Sequence, residues 1–185
     1  MADTFTEDPA TTARTIYLAG GCFWGVEELF RQIPGVTGTR TGYANGNLTT
    51  GVSYERVCQG DTDFRETVRV DFDPATVTLD QLLWAYFHII DPTIENRQGN
   101  DVGTQYQAGI YWDASDSELG AAVHAIADKE RAQLESRGLP FCVEVHELAS
   151  FFSAEEYHQR YLVKNPGGYC HISRAEMHEV LDALA

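Results

Sequence analysis

The 185-residue sequence predicts one α/β domain, because strand and helix patterns alternate along it without a repeat, a low-complexity segment or a change in composition. Its length fits a single domain of the common size, about 100–200 residues. Hydrophobic residues make up 43% of the chain and charged residues 22%, which is typical of a soluble protein with a real core. The formal net charge is −15, and such an excess of negative charge disfavours binding to nucleic-acid phosphates.

The N-terminus predicts neither export nor membrane anchoring. Residues 1–13 are small and polar without periodicity, which indicates a disordered tail ahead of a domain over residues 14–185. The acidic start lacks the basic residues and the apolar stretch of a signal peptide. No apolar run reaches the ~18 residues that a membrane-spanning helix needs. We therefore expect a cytoplasmic protein that does not associate with membranes.

The first half of the chain begins the alternation of strands and helices. Residues 15–19 form an apolar strand pattern that ends at two glycines, and residues 23–31 form a short helix pattern that stops before a proline. Residues 36–60 are rich in glycine, which favours turns and strands. Strict apolar–polar alternation predicts a half-buried strand over 67–72. A capping box then opens an amphipathic helix over 78–90.

The second half continues the alternation after a polar loop over residues 91–105. This loop is too long for a plain connector, which makes it a candidate functional segment. Three helix patterns open with a serine followed by a glutamate three residues later. In order, the elements are a strand over 108–112, a helix over 115–137, a strand over 143–147, a helix over 153–164, a flexible break at 165–168 and a last helix from 173.

The most informative motif surrounds Cys22, which follows a strand and two glycines and opens a helix. Backbone N–H groups and the helix dipole at such a position favour a thiolate. Gly21 and Gly25 allow other groups to approach the sulfur closely. Phe23 and Trp24 offer aromatic faces suited to a methyl group or a soft cation. The alternative is a buried structural cysteine, but a packing role does not need the flanking glycines.

The string Gly21-Cys22-Phe23-Trp24-Gly25 resembles the signature of the A-type peptide methionine sulfoxide reductases, and the resemblance extends over nearly the whole chain. Several separated blocks in the same order are more specific than a single motif. One block departs, because Asp63-Phe64-Arg65-Glu66 stands where the family usually has Gly-His-Ala-Glu. The matching blocks are Gly42-Tyr43, Tyr54 in Ser-Tyr-Glu, Gly60-Asp61-Thr62, Phe72-Asp73-Pro74, Asp91-Pro92-Thr93, Gln98 to Tyr106, and Asn165 to Cys170.

This resemblance implies a fold and an activity. The fold is a two-layer α/β (α+β) sandwich with a mixed sheet, a plait-like (ferredoxin-like) core and irregular ends. The activity is that of an oxidoreductase which reduces methionine S-sulfoxide, free or in proteins, as a repair reaction under oxidative stress. The resemblance also implies thioredoxin as the external reductant, no metal or other cofactor, and a monomer.

Sulfoxide reduction indicates what such an active site must contain. A thiolate attacks the sulfur while the oxygen is protonated or strongly hydrogen-bonded, which requires an acid of raised pKa and neutral donors. Glu66, at the start of a strand, fits the acid, and Tyr54 and Tyr106 fit the donors. From the residues alone, the alternatives are a solvated carboxylate and two core aromatics with polar tips. The resemblance favours the hydrogen-bonding roles.

The resemblance assigns the other roles by position. Cys22 matches the nucleophile, with Phe23 and Trp24 beside it as substrate-binding residues. Asp101 matches a loop aspartate that anchors the substrate or orders the loop, and the alternative is a turn-forming residue. Cys170 matches the resolving cysteine. A Cys22 sulfenic acid would then condense to a Cys22–Cys170 disulfide that thioredoxin reduces.

The remaining cysteines and histidines match no role. Cys58 and Cys142 lie beside apolar residues, which favours core packing. Metal binding by Cys142 with His146, or by Cys170 with His171, lacks a Cys-x-x-Cys pair or any converging spacing. We expect the histidines in helix patterns to lie at or near the surface, namely His88, His124, His158 and His178.

Two rival functions stay open at this point. A Cys–His acyl transferase or protease would need a histidine near Cys22 and an oxyanion hole. A redox-sensing module would toggle the Cys22–Cys170 pair without turnover. Catalytic conversion of a methyl sulfoxide to a sulfide with dithiothreitol distinguishes the reductase from both.

Overall fold

The computed structural model describes residues 13–185, so the predicted tail lies outside the described residues apart from Ala13. Strands and helices alternate in this part of the chain. The strands are β1 (Arg14–Ala19), β2 (Val36–Ala44), β3 (Arg65–Phe72), β4 (Arg97–Gln98), β5 (Asp101–Val102), β6 (Gly109–Trp112), β7 (Glu144–Glu147) and β8 (Phe151–Ser153). The helices are α1 (Phe23–Phe30), α2 (Tyr54–Val57), α3 (Leu79–Ile89), α4 (Ser117–Ser136), α5 (Tyr161–Lys164) and α6 (Arg174–Ala183), with a 3₁₀ turn at Thr104–Tyr106.

Six strands form one mixed sheet in the order β7-β6-β1-β3-β2-β8. β6 and β7 run parallel, and the other neighbouring pairs are antiparallel. The central part of the fold is the βαββαβ arrangement of ferredoxin-like folds. Its elements follow one another along the chain as β1, α1, β2, β3, α3 and β6, and its strands lie in the sheet in the order β6-β1-β3-β2. The predicted mixed α/β fold with a plait-like core is therefore confirmed.

The sheet has one large buried face, which packs against the helices. Because side chains alternate across a strand, every second residue of β1 and β3 is fully buried there, namely Ile16, Leu18, Val68 and Val70. Glu66 lies two residues before Val68 and follows the same alternation. β3 thus carries one carboxyl group into an apolar layer. A separate, smaller cluster contains Ala19, Ala44 and Tyr111.

Most helix ends follow local sequence signals. α3 and α6 begin with the predicted capping boxes, at Thr78 and Ser173. α4 is capped by Asp116 and not by the predicted Ser115, because the Asp116 carboxylate accepts the N–H of Leu119 at 3.0 Å. No helix within residues 13–185 is long and apolar enough to cross a membrane.

The predicted helix over residues 153–164 is wrong, because only its last four residues are helical. The side-chain amide of Gln159 is buried and binds both the N–H and the C=O of Thr41 at 3.0 Å. The next residue has a φ of 52° and donates its N–H to the buried Glu27 at 2.7 Å. These tertiary hydrogen bonds hold the segment in turns against β2 and α1, which outweighs its local capping signal.

Candidate active site

Seven of the eight predicted site residues line one pocket at the N-terminus of α1. The pocket has a volume of about 90 Å³. The eighth residue, Cys170, packs on the first turn of the same helix, and Tyr169, which the sequence did not indicate, completes the lining. The predicted residues in the lining are Cys22, Phe23, Trp24, Tyr54, Glu66, Asp101 and Tyr106.

Cys22 is the N-cap residue of α1 and lies just after the end of β1. The turn between them passes through Gly21, whose φ of +82° is a conformation that L side chains rarely adopt. A Cβ on Gly21 would also lie 2.7 Å from the Cβ of Gln98. Glycine is therefore required at position 21 to bring the Cys22 sulfur into the pocket, where this residue is only 7% exposed.

Glu66 is buried on the helical face of β3 with 1% of its surface exposed. Its Oε2 accepts the backbone N–H of Phe23, the first residue of α1, at 3.2 Å. Burial raises the pKa of Glu66 to about 8, and the hydrogen bond from Phe23 lowers it by less. Glu66 therefore holds its proton at neutral pH, next to the turn that carries Cys22.

The Cys22 thiol also keeps its proton, whereas the helix N-terminus predicts a thiolate. Burial raises the pKa of Cys22 far above its ordinary value, and the charge of Glu66 raises it further. The N–H of Trp24 lowers this pKa but does not outweigh burial. When Glu66 is protonated, the largest negative charge that opposes a Cys22 thiolate is absent. The pKa of Cys22 therefore depends on whether Glu66 holds its proton.

Two phenols face the pocket from separate elements. Tyr54 begins α2, and Tyr106 ends the 3₁₀ turn. Burial, followed by the charge of Glu66, raises the pKa of both phenols far above the ordinary value. Both hydroxyls therefore keep their protons and can donate hydrogen bonds. Glu155 fixes α2 in place, because it accepts the backbone N–H of Tyr54 at 2.8 Å.

The indole of Trp24 is held by two residues that the sequence did not place here. His158 Nδ1 accepts the Trp24 Nε1–H at 3.0 Å, and the Tyr161 ring stacks on the indole with centroids 3.7 Å apart. The prediction that His158 lies near the surface is wrong, since it is 1% exposed and packs against the rings of Phe23 and Tyr54. Burial lowers the pKa of His158, so the neutral ring leaves Nδ1 free to accept.

Asp101 connects the predicted functional loop to the C-terminal part of the chain. It begins β5, which pairs with β4 in a two-stranded hairpin. Its Oδ1 accepts the Tyr169 hydroxyl at 2.9 Å, and burial together with this carboxylate raises the pKa of Tyr169 to about 12. The other carboxylate oxygen is buried without a hydrogen-bond partner and lies 3.8 Å from His171 Nδ1.

Comparison with known proteins identifies the family. A family model described as peptide methionine sulfoxide reductase matches residues 14–183. The chain belongs to this family. The peptide methionine sulfoxide reductase MsrA of Mycoplasma genitalium is 46% identical over 160 residues, which cover 86% of this chain and 98% of that protein.

Solved structures of the family share the fold of this reductase chain. The reduced form of Mxr1 from Saccharomyces cerevisiae has a TM-score of 0.77 and 37% identity, covering 94% of this chain and 97% of that chain. Methionine sulfoxide reductase A of Corynebacterium diphtheriae has a TM-score of 0.80 and 38% identity, covering 90% of this chain and 81% of that chain. The four cysteines of the present structure are free thiols.

The two residues that replace the usual His-Ala of the family pattern, Phe64 and Arg65, do not line the pocket. Phe64, in place of the usual histidine, is fully buried and meets Phe152 edge-on with ring centroids 5.7 Å apart. Gly46 lies so close that a Cβ on it would come within 2.2 Å of the Phe64 ring. Arg65 forms an ion pair with Glu144 at 2.9 Å. Position 64 thus contributes to core packing and position 65 to an ion pair on the sheet.

The two cysteines without a matched role differ from their predicted core packing. Cys58 is exposed at the end of α2, where Gln105 Nε2 donates to its sulfur at 3.6 Å, so the prediction is wrong for Cys58. Cys142 is half-buried and donates to the C=O of Thr93 at 3.3 Å. Within residues 13–185, no group of three or more His, Cys, Asp or Glu side chains could hold a metal ion.

The substitution Glu66→Gln tests the burial of this carboxyl through the pH dependence of stability. Because the folded-state pKa is raised from 4.5 to about 8, the folded protein binds this proton more tightly than the unfolded chain. The free energy of unfolding therefore decreases as the pH rises from about 4.5 to about 8. Glutamine has no such proton, so we expect the variant to be more stable than the wild type at pH 9, by up to about 4 kcal/mol.

Urea unfolding at pH 5, 7 and 9 measures this difference. The matched control is Glu147→Gln, which removes an exposed glutamate from β7. We expect the advantage of Glu66→Gln to shrink toward pH 5, where wild-type Glu66 keeps its proton in the folded state. An advantage that is equal at all three pH values would contradict a buried, protonated Glu66.

Proposed function

We propose that this chain reduces methionine S-sulfoxide, free and within proteins, to methionine, with Cys22 as the nucleophile. The observation that carries the proposal is a buried carboxyl, Glu66, that keeps its proton at neutral pH and shares one small pocket with a cysteine thiol and two phenols. Membership of the family supports the activity, and the A-type signature supports the S epimer. The histidines that pack around the turn that carries Cys22 are bonded to other groups, His158 to the Trp24 indole and His171 to the Gly20 carbonyl, which disfavours the rival Cys–His acyl transfer.

In the first step, oxygen passes from the substrate to Cys22. The Cys22 sulfur forms a transient bond to the sulfoxide sulfur while Glu66 protonates the oxygen, and the thiol proton restores Glu66. The hydroxyl then moves to the Cys22 sulfur, as the S–O bond of the substrate and the transient S–S bond break and the sulfide leaves. The net change converts one thiol and one sulfoxide into one sulfenic acid and one sulfide. Cys22 is oxidised by two electrons, and the substrate sulfur is reduced by two. A neutral acid is essential here because a carboxylate would oppose both the thiolate and the developing charge on oxygen.

The pocket walls match the parts of the substrate. The sulfoxide oxygen accepts hydrogen bonds from Tyr54 and Tyr106, whose protons are retained at neutral pH. The methyl group packs on the aromatic faces of Phe23 and Trp24. Asp101, which belongs to the pocket lining, accepts an N–H from the substrate backbone. Because the contacts of Trp24 to His158 and Tyr161 fix the indole, the methyl site is formed before substrate arrives.

In the second step, the thiol of Cys170 resolves the sulfenic acid. The sulfur of Cys170 attacks the Cys22 sulfur, an S–S bond forms, the S–O bond breaks, and the oxygen leaves as water with the thiol proton. A dithiol protein of the thioredoxin class then exchanges with the disulfide and restores both thiols. Reduction by thioredoxin, without a metal or other cofactor, and action as a monomer are parts of the same proposal.

Turnover of the separated S and R epimers of a blocked methionine sulfoxide tests the proposed activity. With dithiothreitol as the reductant, we expect the sulfide from the S epimer alone. Cys22→Ser should abolish it, because an alcohol is a far weaker nucleophile than a thiolate at neutral pH. The matched control, Cys142→Ser, should keep turnover. No sulfide from either epimer, or a Cys22→Ser rate within about tenfold of the wild type, would refute the proposal.

The acid is tested by the rate of the first step in Glu66→Gln. Glutamine keeps the shape of the side chain but has no transferable proton, so methionine release in a single turnover should slow by roughly 10²–10⁴. Rapid quenching with excess substrate measures this rate without the later steps. Glu147→Gln serves again as the control. An unchanged rate in Glu66→Gln would mean that another group protonates the oxygen.

The resolving role is tested by Cys170→Ser with thioredoxin as the only reductant. We expect one methionine per enzyme and then no further turnover, because the sulfenic acid has no thiol partner. A dimedone-type trap should label Cys22 in the stalled protein. Cys142→Ser should cycle normally under the same conditions. Full thioredoxin-dependent cycling by Cys170→Ser would assign resolution to another cysteine.

A further inference from the structure

Residues Tyr169–Ile172 cross the N-terminus of α1, and we call this segment the C-terminal clasp. Its first residue binds Asp101 on the hairpin through the tyrosine hydroxyl at 2.9 Å. Its last residue, Ile172, is buried in the main core. Just upstream, Gly167 is exposed, and a Cβ on it would meet nothing within 4 Å. Gly168, directly before the clasp, packs closely, since a Cβ on it would lie 2.7 Å from the Tyr161 ring. The clasp is therefore held both by this packing and by the contacts of its own residues.

His171 makes the closest polar contact between the clasp and the turn that precedes Cys22. Its side chain is only 4% exposed, and its Nε2 lies 2.9 Å from the carbonyl oxygen of Gly20. A Cβ on Gly21 would lie 3.0 Å from the same nitrogen. The imidazole thus packs directly on the two residues before Cys22, and the absence of a side chain at Gly21 leaves room for it.

The protonation state of His171 follows from these contacts. A carbonyl oxygen only accepts hydrogen bonds, so Nε2 must carry a proton and donate to Gly20. Burial lowers the pKa of His171 although Asp101 and the bond to Gly20 raise it, so the ring is neutral and Nδ1 has no proton. Nδ1 lies 3.8 Å from an Asp101 oxygen, beyond hydrogen-bond distance. The single strong polar bond of the ring is therefore the bond to Gly20.

Cys170 approaches the same helix turn from the other side. A Cβ on Gly25 would lie 2.9 Å from the Cys170 sulfur and 3.1 Å from Ile172. Cys22 and Gly25 are i and i+3 on the helix and therefore lie on one face of the same turn. Two adjacent residues of the clasp thus contact α1 on either side of Cys22, with His171 before it and Cys170 after it.

We propose that His171 is a positioning residue for the resolving step, because its hydrogen bond to Gly20 holds Cys170 on the helix turn that carries Cys22. This inference rests on the proposed function, in which the Cys170 sulfur displaces the oxygen of the Cys22 sulfenic acid as water. His171 acts through the backbone and fixes where the attacking thiol lies. It takes no part in the first step, in which methionine is released.

The physical basis is the effective concentration of one thiol at the other. A thiol fixed at its partner reacts far faster than one on a flexible tether, which samples a larger volume. Loss of the His171 side chain removes the hydrogen bond that ties the clasp to Gly20, so the Cys170 thiol samples a larger volume around Cys22. The loss of one hydrogen bond of ordinary strength predicts a slowing of roughly tenfold.

Three variants test this role in one single-turnover reaction without external reductant. His171→Leu removes the donor, His171→Gln keeps a side-chain N–H of similar reach, and His178→Gln replaces an exposed histidine of α6 as the control. Methionine release and disulfide formation are both followed by acid quench and mass spectrometry. We expect His171→Leu to slow disulfide formation roughly tenfold and to leave methionine release within about twofold. His171→Gln should restore most of the loss, and a dimedone-type trap should capture more Cys22 sulfenic acid in His171→Leu.

Disulfide formation at the wild-type rate in His171→Leu would overturn the proposal. Equal slowing of both steps, or no recovery in His171→Gln, would also overturn it, because either result indicates a general structural role. Should His171→Leu fail to fold, Tyr169→Phe removes the second anchor from a half-exposed ring and must itself slow disulfide formation. No methionine release by the wild type would instead refute the proposed function.

Discussion

The hydrogen bond between the Phe23 N–H and the Glu66 carboxyl joins the sheet to the helix that Cys22 caps. Glu66 enters the apolar layer because it continues the alternation of Val68 on β3, and a carboxyl there is stable only when it keeps its proton. The other polar groups of the pocket follow the same constraint. Burial and the neighbouring Glu66 raise the pKa of Cys22 and of the two phenols further above neutral pH, so all these groups hold their protons.

The pairing of β2 with β3 extends this arrangement to a second wall of the pocket. Tyr43 lies directly opposite Glu66 in the register of the two strands. Its hydroxyl donates to Glu155 at 2.7 Å, and the same carboxylate holds the backbone N–H of Tyr54. The position of Tyr54 relative to Glu66 is therefore fixed through Glu155 and the paired strands. A shift in strand register would displace both groups together, which ties the chemistry to the fold.

Local signals explain what could be predicted from the sequence. The alternation of β3, the capping boxes of α3 and α6, and the glycines around Cys22 act within a few residues, and they predicted one α/β domain and the site at Cys22. The plait-like core followed only from the resemblance to the family, and so did the places of four residues in the pocket, namely Glu66, Tyr54, Tyr106 and Asp101. His158 and Gln159 were misplaced because their partners, Trp24 and Thr41, lie 134 and 118 positions away. The expectation of a thiolate at Cys22 was wrong for a similar reason. A helix N-terminus is visible in sequence, but the burial that outweighs it depends on the whole fold.

The protonated state of Cys22 has a consequence for the survival of the protein under oxidation. Peroxides and alkylating agents react with thiolates and only slowly with thiols, so a thiol of raised pKa reacts slowly with them. Under the proposed mechanism, Cys22 loses its proton only when a sulfoxide oxygen takes the proton of Glu66 and Glu66 takes the thiol proton in return. Selectivity of this kind would spare Cys22 from the same oxidants that create its substrate.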